Sequence, residues 1–156
     1  MPATRSRSKS SQSSLRANGG RAIFAFFNEI DDFVHAHEED ADLKDFIETL
    51  KVTKAQLQDG AMWLMQNGMT NFDNAGAASH DFLNLFGITA LTYMWTLQAK
   101  AALAAKKNGA AADPYFDTKL VTGRYFLARM TPDAGAHLAK LKSGAGPVMA
   151  LGAEAF

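Results

Sequence analysis

The stretch "SHDFLNLFGITALTYMWTLQAKAALAAKK", residues 79–107, decides the fold. At about 100° per residue, Phe82, Leu83, Leu85, Phe86, Ile88, Leu91, Tyr93, Met94, Trp95 and Leu97 cover almost the whole circumference of a helix. A helix that is apolar on every side sits at the centre of a bundle, packs against another subunit or domain, or crosses a membrane. From Phe82 to Ala99 there is no formal charge, which just reaches the lower limit for a span. Asn84, Thr89, Thr92, Thr96 and Gln98 are scattered around the same helix, however. The neighbouring segments also offer one-sided apolar faces that need a partner, so a bundle is the expected setting.

Working outward, Ile23, Phe26, Phe27, Ile30, Phe33 and Val34 recur at three- and four-residue steps after Asn18-Gly19-Gly20, which predicts an amphipathic helix ending near "HAHEED". A second helix is predicted over residues 42–66, with Leu43, Phe46, Ile47, Leu50 and Leu57 on its face and Gly60 and Asn67-Gly68 as weak points. "NFDNAGAASH" either begins the third helix or lets it approach a neighbour closely, and Ser79 is the expected N-cap. Asn108-Gly109 closes that helix, and Asp113-Pro114 opens the next with proline in its first turn. In "TKLVTGRYFLARMTPD" the stripe Phe116, Leu120, Gly123, Leu127 and Met130 continues beyond Pro132 through Ala134, Leu138 and Leu141. The proline removes one backbone bond and crowds the Ala128 carbonyl, so a kink in one long helix is expected. The rival is a break, with Thr131 as N-cap and Pro132 opening a new helix. No alternating strand pattern appears. The expected class is all-α, an up-and-down four-helix bundle of antiparallel helices with short connections.

The zero net charge of the 156 residues averages two regions. "MPATRSRSKSSQSSLR" carries Arg5, Arg7, Lys9 and Arg16 without an acid, which leaves 12 Lys+Arg against 16 Asp+Glu in the remainder. That mildly acidic body argues against a nucleic-acid backbone binder. Residues 1–18 are expected to form a disordered Ser/Arg-rich tail, with the helical domain over 19–156. The absence of cysteine excludes disulfides, thiolate metal sites and a cysteine nucleophile, and favours a reducing, cytoplasmic setting.

Candidate chemistry is sparse. His35 and His37 stand among Asp31, Asp32, Glu38 and Glu39, but the pair points to different helix faces. The bundle di-iron pattern, two Glu-x-x-His pairs and two more glutamates, is met only by Asp32-x-x-His35. Adjacent Ser79, His80 and Asp81 diverge by about 100° each on a helix and cannot form a hydrolase triad. His137 is expected at the rim. No phosphate-binding glycine loop is present. No metal, cofactor or catalytic residue is therefore expected in this chain. Phe86, Tyr93 and Trp95 are candidate interface aromatics. Lys119 and Arg124 flank the last stripe, in positions suited to snorkelling or rim contacts, and Arg129 lies opposite.

The last two helices resemble a known family. The run Phe116 to Tyr125, of the form (Tyr/Phe)-x-Thr-Lys-Leu-x-Thr-x-Arg-(Tyr/Phe), Pro132 followed by small residues, and the closing "GPVMALGAEAF" are similar to the carboxyl end of large bacterial acyl-CoA dehydrogenases. These include 3-methylmercaptopropionyl-CoA dehydrogenase-like and acetyl-CoA dehydrogenase C-terminal-like proteins, which carry an extra helical domain after a three-domain catalytic core. "SHDFLNLFGITALTYMWTLQA" and "ANGGRA" fit the same pattern, so the likeness runs from about Ala17 to Phe156. It implies a parent reaction in which FAD takes a hydride from an acyl-CoA and a glutamate takes a proton, giving the 2,3-enoyl-CoA. Flavin-binding segments and that glutamate belong to the core, and no residue here matches them. The resemblance thus implies a detached accessory domain, from a split, truncated or mis-started gene, whose partner is the catalytic core or a dimer mate and which could form homo-oligomers. A freestanding helical protein-interaction module is the alternative.

Overall fold

In the computed structural model of the chain, the backbone is described for residues 9–155 and side chains for residues 20–152, 154 and 155. Of the irregular tail expected over residues 1–18, residues 1–8 lie outside the described residues, whereas the backbone of residues 9–18 already belongs to the first helix, which runs through Asn18-Gly19-Gly20. The chain divides into two units, Met1–Ala36 and His37–Phe156. The first is formed by α1 (Lys9–His37), on which Ile23, Phe27, Ile30 and Val34 share a stripe; the rings of Phe24 and Phe27 meet edge-on at 6.3 Å. It ends at the "HAHEED" segment, as predicted.

The second unit packs four helices: α2 (Lys44–Asn67), α3 (Phe72–Ala105), α4 (Pro114–Arg129) and α5 (Pro132–Ser143). The all-α class holds, and no strand occurs among the described residues. Asp40 precedes a short 3-10 turn, Ala41–Leu43, and its carboxylate accepts from the Asp42 amide at 3.0 Å. Leu43, Phe46, Ile47, Leu50 and Leu57 are all buried, so the predicted face of α2 is its core face. α2 runs unbroken through Gly60, where a Cβ would stand 3.1 Å from Leu85 Cδ2 and 3.4 Å from Leu141 Cδ1. Both α3 and α5 lie close to α2 at this point.

α3 begins earlier than the Ser79 start expected from sequence. Asn71 is its N-cap, with Oδ1 accepting from the Asp73 amide at 3.0 Å, and Ser79 sits inside the helix donating to the Gly76 carbonyl. The alanine-rich stretch continues the helix because alanine is the strongest helix former and Asn71 already satisfies the first free amides. At the far end, Gly109 adopts φ 107° and turns the chain toward Asp113, whose carboxylate caps α4. Among the described residues, no helix is long and apolar enough to cross a membrane.

The expected kink at Pro132 is instead a break, the rival reading. α4 stops at Arg129 and α5 starts at Pro132, since the proline has no amide to donate and its ring crowds the preceding turn. Thr131 occupies the cap position but does not cap α5; its hydroxyl donates back to the Leu127 carbonyl at 2.6 Å. The break also re-aims the stripe. Met130 is turned out to solvent and Thr131 takes its place inside, beside Leu120, Gly123, Leu127, Ala134 and Leu141.

Contacts fix the directions of the legs. Lys106 meets Asp117, Trp95 meets Phe126, Asp81 meets His137 and Asn74 meets the Ala145 amide. Falling numbers on α3 therefore meet rising numbers on α4 and then α5, with nearly constant register across the break. α4 and α5 form one leg antiparallel to α3. α2 runs parallel to that leg, since Asp45 pairs with Arg124 and Asp59 with Lys142.

The interior of this unit is polar where α3 enters it. Thr89, Thr92 and Thr96 are each 0 % exposed, while Leu83 is 70 %, Leu91 51 % and Met94 45 % exposed. The threonine hydroxyls donate to carbonyls four residues back, those of Leu85, Ile88 and Thr92, and Thr89 is also 3.1 Å from the Thr53 carbonyl on α2. Each hydroxyl is thus satisfied, and burying it carries no unpaired-group penalty.

Candidate interaction surface

The edge where α3 meets α4 is built from aromatic rings and one cation. The Trp95 and Phe126 rings lie 6.3 Å apart, tilted by 33°. Lys119 Nζ stands over the Trp95 ring at 5.9 Å and over the Tyr115 ring at 5.5 Å, and Tyr115 meets Phe116 edge-on at 5.3 Å. Antiparallel packing produces this cluster: α4 starts where α3 ends, so residues 115–126 lie along the last turns of α3. Tyr115 and Tyr125 remain exposed. The lysine stem lies along apolar surface while its ammonium faces ring π-clouds, a cation–π arrangement.

Arg124 turns away from this edge. Its Nε donates to Asp45 Oδ2 at 2.6 Å, and the guanidinium lies over the Phe46 ring, 5.7 Å from its centroid. The pair forms one wall of an open cleft of about 440 Å³ lined by Ala41, Asp42, Lys44, Asp45, Glu48, Leu103, Leu120 and Arg124. Nearby, Lys107 bonds Asp42 at 3.0 Å. The bond to Asp42 and then the negative charges of Asp42 and Asp40 hold its amine above the ordinary lysine range. Exposed pairs of this kind contribute little to stability.

Of the candidates read from sequence, Trp95 and Lys119 come together, whereas Arg124 serves the α2–α4 contact. Phe86 is half-buried and Tyr93 buried, both on the flank of α3 opposite Trp95. His137 is more than a rim residue: its Nδ1 lies 2.7 Å from Asp81 Oδ1, with side chains only 18 % and 15 % exposed. The His80 ring stands 6.4 Å from that of His137. The pair ties α5 to α3. Sequence reasoning missed it because 56 residues separate the partners and neither belongs to a motif. Ser79, with its hydroxyl on the Gly76 carbonyl, takes no part. Among the described residues, no three His, Asp or Glu side chains gather as a metal site.

The rest of the α3 surface carries Leu83, Leu91 and Met94 outward, and the chain end after Ala145 exposes Val148, Met149 and Leu151. What unites these features is apolar and aromatic surface with few convergent polar groups. Residues 26–152 match the family model described as acetyl-CoA dehydrogenase C-terminal like. The chain belongs to the acetyl-CoA dehydrogenase C-terminal-like family. No curated protein matches it. The family match takes in α2 to α5 complete, and with them the aromatic edge, the Asp81–His137 tie and the outward row of α3. This acetyl-CoA dehydrogenase C-terminal-like domain therefore presents its Trp95–Lys119 edge on the same helices that carried the resemblance in sequence.

Proposed function

We propose that the chain is a non-catalytic accessory domain that docks on the FAD-dependent catalytic core of an acyl-CoA dehydrogenase that converts acyl-CoA to 2,3-enoyl-CoA. The observation that carries this reading is the edge formed by Trp95, Phe126, Lys119 and Tyr115. Tryptophan and tyrosine at a partly covered edge are residue types that anchor protein interfaces. The family match supplies the kind of partner.

The open cleft does not fit a flavin dinucleotide. Asp42, Asp45 and Glu48 line it, and Arg124 is already held by Asp45. The pyrophosphate of FAD would face three carboxylates, and both lining cations are already paired, Arg124 with Asp45 and Lys44 with Glu48 at 3.9 Å, an unfavourable like-charge arrangement. The chemistry of hydride and proton transfer is accordingly assigned to the core, and this chain contributes surface.

Titration calorimetry of the whole chain against the flavin-loaded core of a large bacterial acyl-CoA dehydrogenase, prepared without its own helical domain, tests the reading. A saturable complex is expected, with Trp95→Ala weakening it by about 2 kcal/mol, roughly thirtyfold. Lys119→Glu should weaken it in the same direction. Absence of any complex would overturn the proposal. So would stoichiometric flavin and acyl-CoA turnover by the chain alone.

A further inference from the structure

The inward threonines of α3 leave an outward row of His80, Leu83, Gly87, Leu91 and Met94. The row has a centre of symmetry in sequence: Leu83 lies four residues before Gly87 and Leu91 four residues after it. On a helix these steps place the two leucines about 40° to either side of the glycine. A Cβ at Gly87 would meet nothing within 4 Å. The single chain therefore has no steric use for glycine there, although glycine weakens a helix interior relative to alanine.

We propose that this row is a contact between two copies of the chain, whose α3 helices cross antiparallel about a twofold axis at Gly87. In a twofold contact, residue i of one copy meets j of the other and j meets i. Leu83 of each copy then lies against Leu91 of its mate, and His80 against Met94. No formal charge stands between Phe82 and Ala99, so no like charges oppose each other along the crossing. Antiparallel helices also align their dipoles favourably. With axes about 8 Å apart and Cα atoms on a radius of about 2.3 Å, the two Gly87 Cα atoms approach to within roughly 3.5 Å. That distance explains a residue without a side chain at the centre of an otherwise leucine-rich row.

The area sets the strength. Leu83, Leu91 and Met94 are 70 %, 51 % and 45 % exposed. At roughly 100 Å² of apolar surface per fully exposed side chain, the six residues of two copies bury on the order of 300 Å². Stable interfaces bury about 1,200–2,000 Å² in total, so the contact belongs to the weak, transient class, with a Kd of roughly 10 μM to 1 mM. The contact is independent of docking on a catalytic core, since Trp95 lies on the flank of α3 toward α4 and the row lies at the centre of the outward face.

Sedimentation equilibrium of the whole chain up to about 1 mM is the first measurement, and a concentration-dependent monomer–dimer equilibrium in the stated range is expected. Leu83→Glu, at an exposed position, should leave the helical circular dichroism unchanged and the protein monomeric. Gly87→Ala should weaken association by about tenfold or more while raising the melting temperature of dilute, monomeric protein. A chain that stays monomeric throughout, a dimer untouched by Leu83→Glu, or association unchanged by Gly87→Ala would each overturn the proposal.

Discussion

Gly123 is where α4 rests on α2, and replacing it by alanine tests the packing directly. An added Cβ would land 2.9 Å from both Cε1 and Cζ of Phe46 and 3.3 Å from Cε3 of Trp95. Carbon atoms in ordinary contact stand about 3.5–4.0 Å apart, so the phenyl ring must retreat by roughly 0.6 Å or more. Phe46 is 0 % exposed, and the Arg124 guanidinium lies over its ring. The movement must therefore be shared by the helices. Overpacking of this kind costs about 1–3 kcal/mol, while alanine in place of glycine in a helix interior returns about 1 kcal/mol. The net expectation for Gly123→Ala is a loss of about 1 kcal/mol. Gly87→Ala makes the same chemical change where the space is open, and should gain about 0.5–1 kcal/mol. The two variants should thus differ by about 2 kcal/mol, or roughly 4–8 °C in Tm for a chain of this size. Urea unfolding of dilute protein, followed by circular dichroism with matched m-values, measures the difference. If Gly123→Ala proves as stable as Gly87→Ala, close approach is not what requires glycine at position 123.

Two further outcomes follow from the same coordinates. Leu127→Ala should cost about 2–5 kcal/mol as a core cavity, whereas exposed Arg129→Ala should stay within about 0.5 kcal/mol; an arginine change costlier than the leucine change would show the α4 faces to be assigned the wrong way round. Lys107 titrates above its ordinary value because Asp42 and Asp40 favour its charged form. Its small contribution to stability is present below the unfolded lysine pKa of about 10.5 and is lost as pH rises through the folded value. Asp42→Asn should move the Lys107 pKa down toward 10.5 in an NMR titration of its ε-methylene, and an unmoved pKa would contradict the assignment.

Much of the architecture was legible in sequence for local reasons. The face of α2, the Asp113-Pro114 start of α4 and the turn at Asn108-Gly109 each depend on neighbours in the chain: periodic apolar side chains, a capping carboxylate, a residue free to adopt positive φ. The resemblance in the last two helices was legible too, and it is borne out by the family match over residues 26–152. The errors have a common origin. Ser79 and Asn71 are both competent caps, and the choice between them rested on how far an alanine-rich segment would remain helical. At Pro132 both a kink and a break were compatible with the surviving stripe, and the way Thr131 turns its hydroxyl back to Leu127 separates them.

The amino-acid sequence by itself determined that this protein is helical and which faces of α2 and α4 are apolar. These properties repeat every few residues and need no distant partner. Tertiary structure alone decided which side of α3 is the inside. A helix apolar on every side has no local preference for direction, and the bundle chose the threonine side because small residues that bond their own backbone let α2 come close, while Leu83, Leu91 and Met94 were left facing out. Asp81 and His137 likewise became a pair only when α5 was laid along α3, since a hydrogen bond across 56 residues depends on the register of packing and not on any pattern a single segment carries.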